Sequence, residues 1–168
     1  KLTYKRKKNK MGLDMYLRAN EYVYRHNFNR QTDEDTINPL FNEIVSRLEL
    51  EDVIDKTGFA GITIDVPMGY WRKSNMIHHW FVNNLADGVD ECQPITVRRE
   101  DLEQLKETCI EVIANPESAE ELLPTGSGFF FGSTDYDEYY FGDLNDTVGI
   151  ITRCLESKFD YFEYQASW

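Results

Sequence analysis

Apolar positions change period repeatedly along the chain, and each change marks an element. "LDMYLRANEYVYRH" alternates and is rich in Tyr and Val, which predicts a strand over residues 13–25 with a bend near Ala19 and Asn20. "NFNRQTDEDTIN" is polar and reads as a loop. Pro39 then stands where a first helical turn tolerates it, and Leu40, Ile44, Arg47 and Leu48 follow at helical spacing, so a helix is expected over 39–49. The β-branched run "FAGITIDVP" predicts a strand ended by Pro67.

Residues 71–85 return to a helical period. Ile77, Trp80, Phe81 and Leu85 share one arc, while Arg72, Asn75, His79 and Asn83 fall on the other, with His78 on the flank beside Asn75 and Trp71. Residues 95–97 are expected to be extended. "REDLEQLKETCIEVIA" is a helix with Leu102, Leu105, Cys109, Val112 and Ile113 inward and acids in its first turn. "NPESAEELLPTGSG" predicts a turn, a short helical piece and a glycine-containing loop. "FFFG" reads as a short apolar strand and "STDYDEYYFGD" as an acidic, aromatic connection. A helix is expected over 143–157, capped by Asp143, with Leu144, Val148, Ile151 and Leu155 inward. "FDYFEYQASW" alternates and closes the pattern as a strand over 159–167. Strands and helices without a clean βαβ rhythm predict one α+β domain over 11–168, with a mixed or antiparallel sheet and three to four helices.

Charge sharpens this picture. The 168 residues carry 30 acidic against 18 basic side chains, a formal −12. Six of the basic residues lie in the opening "KLTYKRKKNK", so residues 11–168 hold 12 basic against 30 acidic groups, a formal −18. Such a domain repels nucleic-acid phosphates and attracts basic partners, so direct nucleic-acid binding is not expected of residues 11–168. Met11 opens a better-looking start, and residues 1–10 read as an added upstream or disordered extension; a basic arm for nucleic acid or an acidic partner is the alternative. No apolar run is long enough to span a bilayer and no secretory pattern is present, which predicts a cytoplasmic protein. Cys92, Cys109 and Cys154 are widely spaced and indicate neither a disulfide framework nor a zinc knuckle.

Three constellations carry candidate chemistry. Tyr70, Trp71, Arg72, Lys73, Asn75, His78 and His79 combine aromatic faces, fixed cations and imidazoles near a helix start, a set that suits stacking on and pairing with a nucleotide, or acid–base work by His78 or His79. In "LLPTGSGFFFGSTDYDEYYF", Gly126, Gly128 and Gly132 permit close backbone approach, and Ser127, Ser133 and Thr134 add hydroxyls around a possible anion. This stretch is neither a P-loop nor a dinucleotide fingerprint. Asp135, Asp137, Glu138, Asp143 and Asp146 lack the order of a calcium loop and read as a solvated acidic surface, so no metal and no cofactor is expected.

The blocks "MGLDMYL", "YWRKSNMIHHWFV" and "LLPTGSGFFFGSTDYDEYYF" resemble a family of small bacteriophage and prophage proteins to which no activity is assigned. The resemblance implies a phage accessory protein and transfers no catalytic residue. Together with the residues, it predicts a non-catalytic protein that binds a host component or a small nucleotide and counters a host defence, either through its acidic surface or through an aromatic, basic pocket. The alternative is a small nucleotide-directed hydrolase or transferase using His78 or His79.

Overall fold

A computed structural model describes residues 12–29 and 34–168; the basic stretch 1–10 lies outside the described residues. In chain order the elements are β1 (Asp14–Tyr24), β2 (His26–Asn29), β3 (Glu34–Ile37), α1 (Pro39–Arg47), α2 (Glu51–Thr57), β4 (Gly61–Arg72), α3 (Asn75–Leu85), β5 (Ile95–Arg98), α4 (Arg99–Ala114), a 3₁₀ turn (Pro116–Ser118), α5 (Ala119–Leu122), α6 (Glu138–Glu156) and β6 (Tyr161–Ser167). The class is α+β, as the pattern predicts. The described chain divides into two compact units, 12–19 with 67–168 and 20–66.

The larger unit is built on a sheet of order β4-β1-β6-β5, with β6 antiparallel to both of its neighbours. Alternation decides the register. Met15, Leu17 and Ala19 of β1 lie opposite Ala166, Tyr164 and Phe162 of β6, so every inward residue of one strand meets an inward residue of the other. Slipping one strand by one residue would turn its inward set to solvent. Ile77 and Phe81 of α3, Leu102, Leu105 and Cys109 of α4, and Leu144 and Ile151 of α6 are fully buried in the same unit. Each such side chain contributes about 1.5–3 kcal/mol by leaving water. Phe81 stacks on Tyr164 with centroids 4.0 Å apart and planes at 14°, which fixes α3 to the central strand. Arg99, the first residue of α4, donates to the carbonyls of Leu155, Ser157 and Phe159, so one guanidinium satisfies the end of α6.

The smaller unit has its own core of Val23, Phe41, Val45 and Ile54, with Ile44, Leu50, Ile62 and Ile64 packed against it. Asn38 caps α1 by accepting the Leu40 N–H at 3.0 Å, and α2 ends at Gly58, whose φ of 64° suits a residue without Cβ.

Five expectations are corrected. The polar loop after residue 25 contains the β2–β3 hairpin, because ladder bonds join backbones and do not require apolar side chains. Pro67 does not end its strand: β4 runs on to Arg72, and as the outer strand of the sheet it can leave one position without an N–H. Tyr70, Trp71 and Arg72 are therefore strand residues, and α3 begins four positions later than expected. "FFFG" is a turn, closed by the Phe131 N–H on Gly128 O at 3.1 Å. Finally, α6 starts at Glu138 with Asp137 as cap, accepting from the N–H groups of Tyr139 and Tyr140 at 3.0 and 3.1 Å, so Asp143 lies inside the helix. Among the described residues there are six helices: the four expected long ones, the expected short helical piece as α5, and α2, which the pattern did not show.

Candidate functional site

The end of β4, the start of α3 and the segment 125–143 come together in the larger unit around a cleft of about 310 Å³. Arg72, Lys73, Asn75 and Met76 line one side. Thr125, Gly132, Ser133, Asp135, Asp137, Tyr139, Tyr140 and Asp143 line the rest.

The turn from strand to helix sets the cations. Lys73 has a left-handed backbone, φ 64°, with its N–H on Leu13 O at 2.8 Å and its carbonyl accepting from Asn75 N at 2.9 Å. A side chain in that region costs about 1–2 kcal/mol, held here by bonds on both sides. Gly132, φ 92°, lies against it; a Cβ there would stand 3.0 Å from Lys73 Cβ. Arg72, on the preceding position, leans towards Asp14 with 3.9 Å between Nη1 and Oδ1.

Asn75 ties this side to the glycine-containing loop. Its Nδ2 donates to the carbonyls of Phe131 and Ser133 at 3.0 and 2.9 Å, and its Oδ1 accepts the Gly126 N–H at 3.0 Å. The amide thus spends both N–H groups and its oxygen on the glycine-containing loop. Thr125 Oγ1 closes the loop by donating to Thr134 O at 2.9 Å.

Below the cleft, Ser74 Oγ donates to Asp143 Oδ2 at 2.5 Å, and Thr147 Oγ1 donates to the Asp143 carbonyl and accepts Trp71 Nε1–H. Burial pushes the Asp143 carboxyl above the ordinary carboxylate range, the charges of Asp146 and Asp137 act the same way, and the Ser74 hydroxyl opposes them. The described carboxylates do not converge as a set of metal ligands.

The two histidines lie elsewhere. His78 is 1% exposed, with Nδ1 2.8 Å from the Tyr164 hydroxyl and Nε2 3.0 Å from Asp90 Oδ2. Both ring nitrogens are thus engaged, and burial raises the pKa of the Tyr164 hydroxyl. His79 lines a separate recess of about 70 Å³ with Met76, Trp80, Asn83, Asn84, Leu122, Leu123 and Pro124. Burial lowers its pKa from the ordinary 6.5, with His78 acting in the same direction and Asp90 against it.

Of the residues singled out by sequence, the fold brings Arg72, Lys73, Asn75 and Ser133 into the cleft. Trp71 is buried beneath it. Tyr70 points away, donating to Asp14 at 2.5 Å, a bond that raises its pKa, and tilting against Tyr16 with centroids 5.4 Å apart. Ser127 and Thr134 are exposed on the loop outside the cleft lining. Asn75 and His78, expected on a displayed face, are buried: the loop covers the arc of α3 that the sheet leaves, and Phe131 meets His78 edge-on at 5.2 Å. Sequence reasoning missed Thr125, Tyr139 and Tyr140 as lining and read Asp135, Asp137 and Asp143 as surface. Their signal was Asp137 followed by Glu138, a cap and first-turn pair that starts α6 early and turns these side chains to one place. No helix among the described residues is long and apolar enough to cross a membrane. No family model, curated protein or solved structure matches the chain.

Proposed function

We propose that this chain is a non-catalytic phage accessory protein that holds a small ligand of the nucleotide class in the cleft at Arg72 and Lys73, and so counters a host defence in the host cytoplasm. One observation carries the reading: two cations, three carboxylates and an exposed tyrosine share one concavity. A nucleotide has a counterpart for each. Its phosphates pair with the guanidinium and ammonium groups, its ribose hydroxyls or exocyclic amines donate to Asp135, Asp137 or Asp143, and its base stacks on Tyr139. The start of α3 beside Lys73 adds its dipole to the anion's side.

Binding is preferred to the hydrolase or transferase alternative because that chemistry was assigned to His78 and His79, and neither lines the cleft. His78 has both ring nitrogens engaged, and His79 faces another recess. The resemblance of the "YWRKSNMIHHWFV" and "LLPTGSGFFFGSTDYDEYYF" blocks to phage proteins supports the biological setting.

Calorimetric titration with a panel of linear and cyclic nucleotides tests the proposal. Arg72→Ala removes a charge-assisted contact of about 1.5–3 kcal/mol and is expected to weaken the ligand tenfold or more while folding barely changes. Chromatography of the same mixtures is expected to recover the nucleotide unaltered; multiple-turnover consumption would establish an enzyme instead. Absence of nucleotide binding, with capture of a basic host protein that Arg72→Ala does not affect, would transfer the function to the acidic surface.

A further inference from the structure

The loop clamped by Asn75 holds out an apolar side chain that takes no part in the cleft. Phe129 is 92% exposed, and the Phe130 ring braces it edge-on with centroids 4.8 Å apart. The turn beneath it is fixed at several points: Leu13 N–H donates to Phe130 O at 3.1 Å, Phe131 N–H to Gly128 O, and Asn75 to the carbonyls of Phe131 and Ser133. An aromatic ring carried on a backbone that is already ordered loses little entropy when it docks, which is the property of an interface anchor. A phenylalanine left in water adds nothing to folding.

The chain around it states what it would dock onto. From residue 107 to residue 152 there are ten Asp and Glu and no Lys, Arg or His. Asp135, Tyr136, Glu138 and Tyr139, which follow the loop, are all exposed. An apolar anchor followed in sequence by exposed acidic side chains is complementary to an apolar patch edged by lysine and arginine, where the ring fills the patch and the rim charges steer approach, with Lys73 against Gly132 the cation nearest the loop.

We infer that Phe129 and the acidic residues after it form a docking surface for a basic protein partner that presents an apolar patch ringed by Lys and Arg. Phe129 itself lies outside the cleft lining, whereas Asp135 and Tyr139 belong to both, so only the Phe129 contact is independent of what the cleft holds.

The test uses a labelled Leu–Lys peptide that forms an amphipathic helix as the stand-in partner, with a Ser–Lys peptide of equal charge as control, read by fluorescence anisotropy at low and high salt. The full chain is expected to bind the Leu–Lys peptide at least tenfold more tightly than the control. Phe129→Ser is expected to abolish that preference with an unchanged melting temperature and unchanged nucleotide titration. Asp135→Asn with Glu138→Gln is expected to flatten the salt dependence. Equal binding of the two peptides, or no effect of Phe129→Ser, would leave bulk charge as the only attraction and overturn the inference. So would self-association of the wild type in sedimentation that Phe129→Ser removes, which would make a second copy the occupant, or Phe129-dependent binding to anionic vesicles in place of the peptide.

Discussion

Asn75 Oδ1 receives the backbone N–H of Gly126 at 3.0 Å, and this bond joins the first residue of α3 to a loop 51 positions further along the chain. With the two bonds from Nδ2, one amide holds the loop at three points, beside the Leu13 N–H to Phe130 O and Thr125 Oγ1 to Thr134 O bonds.

Replacing Asn75 with Ala is therefore expected to destabilise the larger unit by about 1–3 kcal/mol, since two half-buried or exposed carbonyls and one half-buried N–H lose their partner. Urea denaturation measures it. A change below about 0.5 kcal/mol would show that the loop is held by its other bonds and its apolar contacts.

Gly126 also lies against His79, whose Cε1 would stand 1.5 Å from an added Cβ. Gly126→Ala is expected to cost about 1–3 kcal/mol in the wild type and much less in a His79→Ala background. Additive effects in the double-mutant cycle would refute the steric coupling.

Lys73 occupies a left-handed conformation that glycine adopts freely. Lys73→Gly is expected to leave stability unchanged or raise it by up to about 1 kcal/mol, because relief of strain offsets the larger entropy of an unfolded glycine. The same change is expected to weaken an anionic ligand in the cleft. A loss of stability with full binding would show that the lysine stem, not its charge, is what the position requires.

The lowered pKa of His79 sets a pH dependence. Its folded value lies below 6.5, so the unfolded chain binds the proton more readily, and stability falls as pH drops through 6.5 towards the folded value. Urea midpoints at about pH 7.5 and about pH 5.5 are expected to differ less in His79→Gln than in wild type. Parallel shifts in the two proteins would assign the effect to other groups.

How much of this was legible depended on whether an element faces one neighbour or two. Helix α4 has a single buried stripe, Leu102, Leu105, Cys109 and Val112, and its span follows from the sequence. The same alternation gives β1 and β6. Helix α3 buries Asn75, Met76, Ile77 and His78 in succession, because core and loop cover it from different sides. A helical wheel reveals one apolar arc and cannot show a second face covered by a polar, hydrogen-bonded loop. Pro67 misled for a related reason: the prohibition on proline in a strand depends on whether the strand lies at an edge, and order within a sheet is not a local property. The cleft inherits both errors, since Arg72 and Lys73 reach it at the end of a strand and the carboxylates reach it from a helix that starts at Glu138.

The position of β6 between β1 and β5 has a kinetic meaning. Asp14 pairs with Ser167, 153 positions away, so the centre of the sheet closes a loop that spans nearly the whole chain. Until β6 arrives, β1 lacks one neighbour and β5 lacks a ladder altogether. Refolding is thus governed by a late, distant encounter and belongs to the millisecond-to-second range of non-local topologies rather than to the speed of its helices. During that interval the unpaired flanks of β1 and β5 are open to strands of other molecules, which adds an aggregation risk in the folding chain to that of the finished edges β4 and β5.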